Sequence, residues 1–105
     1  MSCKPLIRRS LADQDVLDAV DYYRQESGET VALKFVDALE KAFRHISCHP
    51  ATGSPRYAVE LGLPDLRCWP MKHYPYFIFY IKKEDHIDVW RILHGQRNIP
   101  AWLSE

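Results

Sequence analysis

The sequence predicts an α+β domain: a short N-terminal strand, an antiparallel helical hairpin, a three-stranded antiparallel sheet and a short C-terminal tail. Three observations carry that expectation. Apolar residues recur at helical spacing up to residue 46, then in short β-branched and aromatic runs after residue 66. Between these halves, residues 50–64 hold Pro50, Gly53, Pro55, Gly62 and Pro64, the punctuation of a loop. The chain has 105 residues, 47% hydrophobic and 27% charged. That suits one core and no second lobe, so residues 1–105 read as a single domain.

Leu6 and Ile7 give residues 4–9 the character of a short first strand. Ser10 is placed to cap the first helix, with Asp13 three residues on as in a capping box. Ala12, Val16, Ala19, Val20 and Tyr23 make its apolar stripe, opposite Gln14, Asp18, Asp21 and Gln25. Ser27 and Gly28 end it, the glycine supplying a left-handed turn. The second helix starts near Glu29 and buries Val31, Ala32, Phe35, Leu39, Ala42, Phe43 and Ile46. Pro50 stops it, since proline lacks an amide proton and crowds the preceding turn. So short a joint predicts antiparallel packing of the two helices. Residues 66–71 form the next strand, and Pro70 makes it an edge or a bulge. Residues 76–81, Tyr-Phe-Ile-Phe-Tyr-Ile, are apolar on both faces, as a covered central strand requires. Lys83, Glu84 and Asp85 turn the chain into a third strand over residues 86–93, and residues 95–105 are the tail.

Charge excludes a broad class of partners. Lys plus Arg number 14 and Asp plus Glu number 14, whereas general nucleic-acid binders carry a positive excess that neutralises phosphates. Direct sequence-specific nucleic-acid binding is therefore not expected. The start, Met1-Ser2-Cys3-Lys4-Pro5, has no apolar signal region, and no apolar run approaches the roughly 20 residues that span a bilayer. No membrane role is expected, and the cytoplasm is the default location. Cys3, Cys48 and Cys68 are odd in number and far apart, so no disulfide framework is expected either.

The chain carries no Gly-rich phosphate loop, Gly-x-Ser-x-Gly elbow or Cys-x-x-Cys pair. Its carboxylates lie mostly on polar helix faces, where solvation explains them, and no catalytic residue is assigned. His45, Cys48 and His49 cluster at the end of the second helix, with the histidines spaced to reach one ion. A solvated helix end, with histidines favoured by the C-terminal dipole, is the better account. No metal and no cofactor are expected. The aromatic residues could stack on bases, but an α+β core needs them, and Tyr74, beside Pro75, is the exposed exception. Arg91, His94 and Arg97 sit near or beyond the end of the last strand, with Gly95 letting the chain turn away. Physical chemistry alone leaves a functional and a structural role for these cations evenly balanced.

Those residues carry a family likeness. Asp21-Tyr22-Tyr23, then His49-Pro50 through Gly53-Ser54-Pro55-Arg56, then Leu66-Arg67, Tyr74-Pro75-Tyr76-Phe77-Ile78-Phe79-Tyr80 and Arg91-Ile92-Leu93-His94-Gly95-Gln96-Arg97 follow one another in order. In order and spacing the chain resembles the RelE/ParE superfamily of bacterial toxins over nearly its whole length, and its ParE branch most. The resemblance implies a type II toxin neutralised by a cognate ParD-like antitoxin in a toxin–antitoxin hetero-oligomer. It implies DNA gyrase as the target, poisoned by binding rather than by catalysis. The RelE branch instead cleaves mRNA on the ribosome, with sheet lysines and arginines and often a C-terminal tyrosine supplying proton transfer and charge. Residues 67–72 lack the lysine pair, Phe77 replaces an arginine, and Trp102 and Leu103 stand where the tyrosine would come. A ribonuclease and a non-toxic binding module on the same fold remain the alternatives. Arg91, His94, Arg97 and Trp102 are the expected target-binding residues, with Arg56 and Tyr74 as the second choice, since interface hot spots favour Trp, Tyr and Arg. An antitoxin segment would lay an amphipathic helix in the groove between hairpin and sheet, or add a strand at an open edge.

Overall fold

The computed structural model describes residues 3–95 and Ile99. Strand β1 (Leu6–Arg8) leads into helices α1 (Ser10–Ser27) and α2 (Glu29–Cys48). A single 3-10 turn (Pro50–Thr52) and a short helix α3 (Ala58–Leu61) follow, then strands β2 (Leu66–Pro70), β3 (Tyr76–Lys82) and β4 (Ile87–His94). The loop expected over residues 50–64 therefore contains two short helical pieces.

The joint between the long helices is one residue. Gly28 has φ of 90°; its N–H donates to the Arg24 carbonyl, and its own carbonyl accepts from Ala32. One glycine thus closes α1 and opens α2, in a backbone region that L side chains rarely adopt. The predicted cap at the other end of α1 is not formed. Ser10 is already helical, Arg9 occupies the cap position, and the Asp13 carboxylate binds Arg8 at 2.7 Å instead of completing a capping box.

The sheet has four strands in the order β1-β4-β3-β2. It is mixed, which corrects the three-stranded antiparallel expectation: β1 pairs parallel to β4, Leu6 opposite Ile87 and Arg8 opposite Val89. A three-residue strand whose partner lies some eighty residues on leaves no local signal for such a pairing. The β2–β3 and β3–β4 pairs are antiparallel, and β2 with its Pro70 is an edge.

Strand β3 is covered on both faces. Ile78 and Tyr80 face the hairpin, packing with Ala12, Ala19, Phe35, Leu39, Phe43 and Ile46. Phe79 and Ile81 face a second core with Ala58, Leu66, Cys68, Leu93 and Ile99. Burial pushes the Cys68 thiol up to about 11, so it stays protonated and behaves as a small apolar side chain.

Two of the three cysteines are joined, against expectation. Cys3 and Cys48 form a disulfide with Cα atoms 4.2 Å apart. Spacing could not show it, because the N-terminal segment runs back beside the last turn of α2: the Lys4 N–H donates to the Ser47 carbonyl at 3.0 Å, and the Ser47 hydroxyl donates to the Lys4 carbonyl.

Candidate functional site

The expected contact centres on the end of β4, and a bulge shapes it. Phe79 pairs with Arg91 but Tyr80 pairs with Val89, so Trp90 is an extra residue on β4. A bulge of this kind re-aims the side chains beyond it. Arg91 is 5% exposed, and its Nε and Nη2 donate to the two carboxylate oxygens of Asp15 on α1 at 2.8 and 2.9 Å. The same Asp15 accepts the Ile92 N–H at 3.0 Å. Strand β1 covers β4 only as far as Val89, and beyond it Asp15 takes the place of a neighbouring strand as acceptor. Arg91 thus fastens the helical hairpin to the sheet.

Asp15 was missed in the sequence, though a signal existed. It lies three residues after buried Ala12 and four before buried Ala19, so it belongs to the apolar stripe of α1. A charge inside such a stripe calls for a buried partner.

His94 is the last residue of β4 and pairs with Tyr76, whose ring it meets edge-on at 5.3 Å. Tyr76 belongs to an aromatic cluster with Tyr23, Phe35 and Tyr74. Tyr74 is half-buried there, its ring 5.2 Å from Phe35 and 5.6 Å from Tyr23, which corrects its reading as the exposed aromatic. Burial, with the neighbouring Tyr76, Tyr74 and Tyr22, pushes the Tyr23 hydroxyl upward. The cluster joins α1, α2 and the β2–β3 turn beneath the end of the sheet. Arg97 and Trp102 lie outside the described residues.

Arg56 is exposed, its guanidinium 5.1 Å from the centre of the Tyr57 ring. Tyr57 packs on the second core, so Arg56 belongs to the face opposite the hairpin and is not gathered with His94 and Tyr74. The loop that carries it is pinned. The Tyr80 hydroxyl accepts the Gly53 N–H and donates to the Pro50 carbonyl, both at 2.9 Å. Arg67 donates to the Gly53 and Ala51 carbonyls at 2.7 and 3.3 Å.

His45 and His49, spaced in the sequence to reach one ion, have other engagements. The His45 ring stacks on Trp69 with centroids 4.8 Å apart, lies 5.0 Å from the His49 ring, and reaches the Thr52 hydroxyl at 3.1 Å. Among the described residues no three His, Cys, Asp or Glu side chains gather as a metal set.

Two open clefts flank α2. One, of about 410 Å3, lies between α2 and the sheet, with Ala38, Ala42 and Trp69 as its floor and Lys41, Lys72 and His73 on its rim. The other, of about 480 Å3, runs between α1 and α2 over Val16, Leu17, Val36, Leu39 and Phe43. Leu17, on the wall of the second cleft, and Leu33 are 58% and 60% exposed. No helix among the described residues is long and apolar enough to cross a membrane.

Comparison with known proteins agrees with this architecture. Residues 6–99 match the family model for the ParE toxin of the parDE type II toxin–antitoxin system. Among solved structures, the chain is similar to one from the chromosomal ParDE toxin–antitoxin system of P. aeruginosa, with a TM-score of 0.75 and 20% identity. That match covers 90% of this chain and 98% of the other. Among curated proteins nothing matches.

Proposed function

Because the chain belongs to the ParE toxin family of type II toxin–antitoxin systems, we propose that it halts bacterial growth in the cytoplasm by binding DNA gyrase and stabilising its cleaved-DNA state. A ParD-like antitoxin neutralises it in a hetero-oligomer. The observation that supports binding over catalysis is the state of the sheet's polar groups. Cleavage of RNA needs a base, an acid and cations at the phosphate. Here Arg67 is engaged by two loop carbonyls, Pro70 closes the edge strand, and Phe77 packs on the second core. His94, Arg97 and Trp102 supply the gyrase contact, and Arg91 fastens to α1 the strand end that carries His94. The antitoxin lays an amphipathic helix along a cleft beside α2, or adds a strand to an edge. Expression of the chain alone should arrest growth, and co-expression with its antitoxin should restore it.

The target is tested by a supercoiling assay with purified gyrase, run beside an mRNA-cleavage assay on programmed ribosomes. Stabilised cleaved DNA with intact mRNA is the expected result. A ribonuclease reading draws on one observation: exposed His73, held at φ of 70°, lies in the turn before Tyr76, the partner of His94. A histidine pair can serve as acid and base near neutral pH. Codon-positioned cuts that vanish in His94→Ala, with supercoiling untouched, would establish that reading instead.

A further inference from the structure

The N-terminal segment is held in two independent ways, one covalent and one not. The covalent tie is Cys3–Cys48, which closes a loop over a sequence separation of 45 and so encloses β1, α1 and α2. The other consists of the Lys4–Ser47 pair of hydrogen bonds, the Lys4 ammonium on the Glu84 carbonyl, and the Ile87 and Arg9 amides, which reach the Pro5 and Val89 carbonyls at 2.8 and 3.0 Å. Strand β1 itself is three residues long on an open edge, and its Ile7 is 54% exposed. Short parallel pairings of this kind are weak by themselves.

Cys3 is exposed and Cys48 half-buried, so a small molecule can reach the bond. Cys68, the remaining cysteine, is buried in the second core and not placed to compete for either partner. Exposed disulfides exchange readily with thiols, and those that form in reducing compartments are usually transient or redox-sensing.

We propose that Cys3–Cys48 is a thiol–disulfide exchange site for low-molecular-weight thiols and disulfides, and that its redox state sets how firmly β1 is fastened to the edge of β4. In reduction, a small thiolate attacks the Cys3 sulfur, and the bonding pair leaves with the Cys48 thiolate. A second thiolate then attacks the outer sulfur of the mixed disulfide, releasing the Cys3 thiolate and the oxidised small disulfide. Two electrons pass from the two small thiols to the protein, and the reverse sequence restores the bond. Reduction leaves β1 on its non-covalent contacts, the ladder to β4, the packing of Leu6 and the Arg9–Asp88 pair, and its opening makes β4 an edge strand at Ile87, Asp88 and Val89. This inference concerns the chain's own strand and does not depend on the gyrase reading.

The experiment uses the full chain equilibrated in glutathione buffers from fully oxidised to fully reduced. Thiols are counted by alkylation after denaturation, and each sample is followed by thermal unfolding and amide hydrogen exchange. One free thiol under oxidising and three under reducing glutathione are expected. The reduced form should melt lower by on the order of 10 °C, because a closed loop of this length restrains the unfolded chain. Exchange at the Lys4, Arg9 and Ile87 amides should quicken at least ~10-fold on reduction, with β3 unchanged, as local opening predicts. Cys3→Ser, with two cysteines left and no bond between Cys3 and Cys48 to form, should show the melting and exchange of the reduced form in every buffer, and reduced wild-type protein supplies the same reading should that variant fail to fold. Three free thiols under oxidised glutathione would overturn the proposal. So would a bond that resists millimolar reduced glutathione, or identical exchange of β1 in both forms.

Discussion

At the scale of single residues, the two acids that matter most are those removed from water. Asp15 holds the Arg91 guanidinium and the Ile92 amide at once, with side-chain exposures of 10% for Asp15 and 6% for Arg91. Deleting one member of so buried a pair leaves the other charge poorly compensated, at a typical cost of about 3–5 kcal/mol. Asp15→Ala should therefore lower the urea midpoint far more than Asp13→Ala, whose ion pair is half exposed and worth under about 1 kcal/mol. Asp88 gives a pH dependence. The hydrogen bond from Arg9 holds its carboxyl below the usual carboxylate range, helped by the Arg9 charge and by the Trp90 N–H. The folded pKa is depressed, so its contribution is present above the unfolded value of about 3.9 and is lost as pH falls through the folded value. Asp88→Asn should be less stable than wild type at neutral pH. The gap should narrow in urea titrations as pH drops below about 4.

At the scale of elements, single residues set how the pieces meet. Gly28 joins α1 to α2 at φ of 90°, and a Cβ there would touch nothing within 4 Å. Gly28→Ala therefore carries only the backbone cost, about 1–3 kcal/mol, measurable as a shift of the unfolding midpoint without loss of helix by circular dichroism. Gly53 differs in kind, because a Cβ there would come within 2.6 Å of the Tyr80 hydroxyl and 3.0 Å of the Arg67 Cβ. The loop that bears Arg56 approaches the sheet so closely because that position has no side chain. The bulge at Trp90 works on β4 in a similar way. It lets Arg91 turn to α1 while Val89 and Ile92 both keep their places in the hairpin-side core.

At the scale of the whole molecule, the tail combines a buried core residue with residues proposed for the gyrase contact, and a simple truncation would confuse the two. Ile99 is 3% exposed and belongs to the second core, so removing everything after Arg97 deletes packing together with Trp102, one of the residues of the proposed gyrase contact. Point changes separate the two. Ile99→Ala should cost stability in the range of about 2–5 kcal/mol for a buried aliphatic truncation. Arg97→Ala and Trp102→Ala should keep the melting temperature but weaken growth arrest, scored at equal soluble expression. Full toxicity in both point variants would move the contact elsewhere, with Arg56 as the next candidate. Tyr74 is a poor one, since its ring is part of the cluster beneath the sheet.

Local patterning was enough for much of this molecule. Helical periodicity, the glycine at the joint and the proline after α2 fixed the hairpin, because each is a matter of backbone preference within a few residues. The twofold apolar character of residues 76–81 marked the central strand, and Pro70 marked an edge, by the same local logic. The ordered motifs also placed the chain in its family. The parallel pairing of β1 with β4, the Cys3–Cys48 bond, the Arg91–Asp15 clamp and the burial of Tyr74 were settled only in three dimensions. Each joins residues that are far apart along the chain. No local periodicity encodes such contacts, since they exist only once the helices have packed on the sheet and brought distant segments within bonding distance.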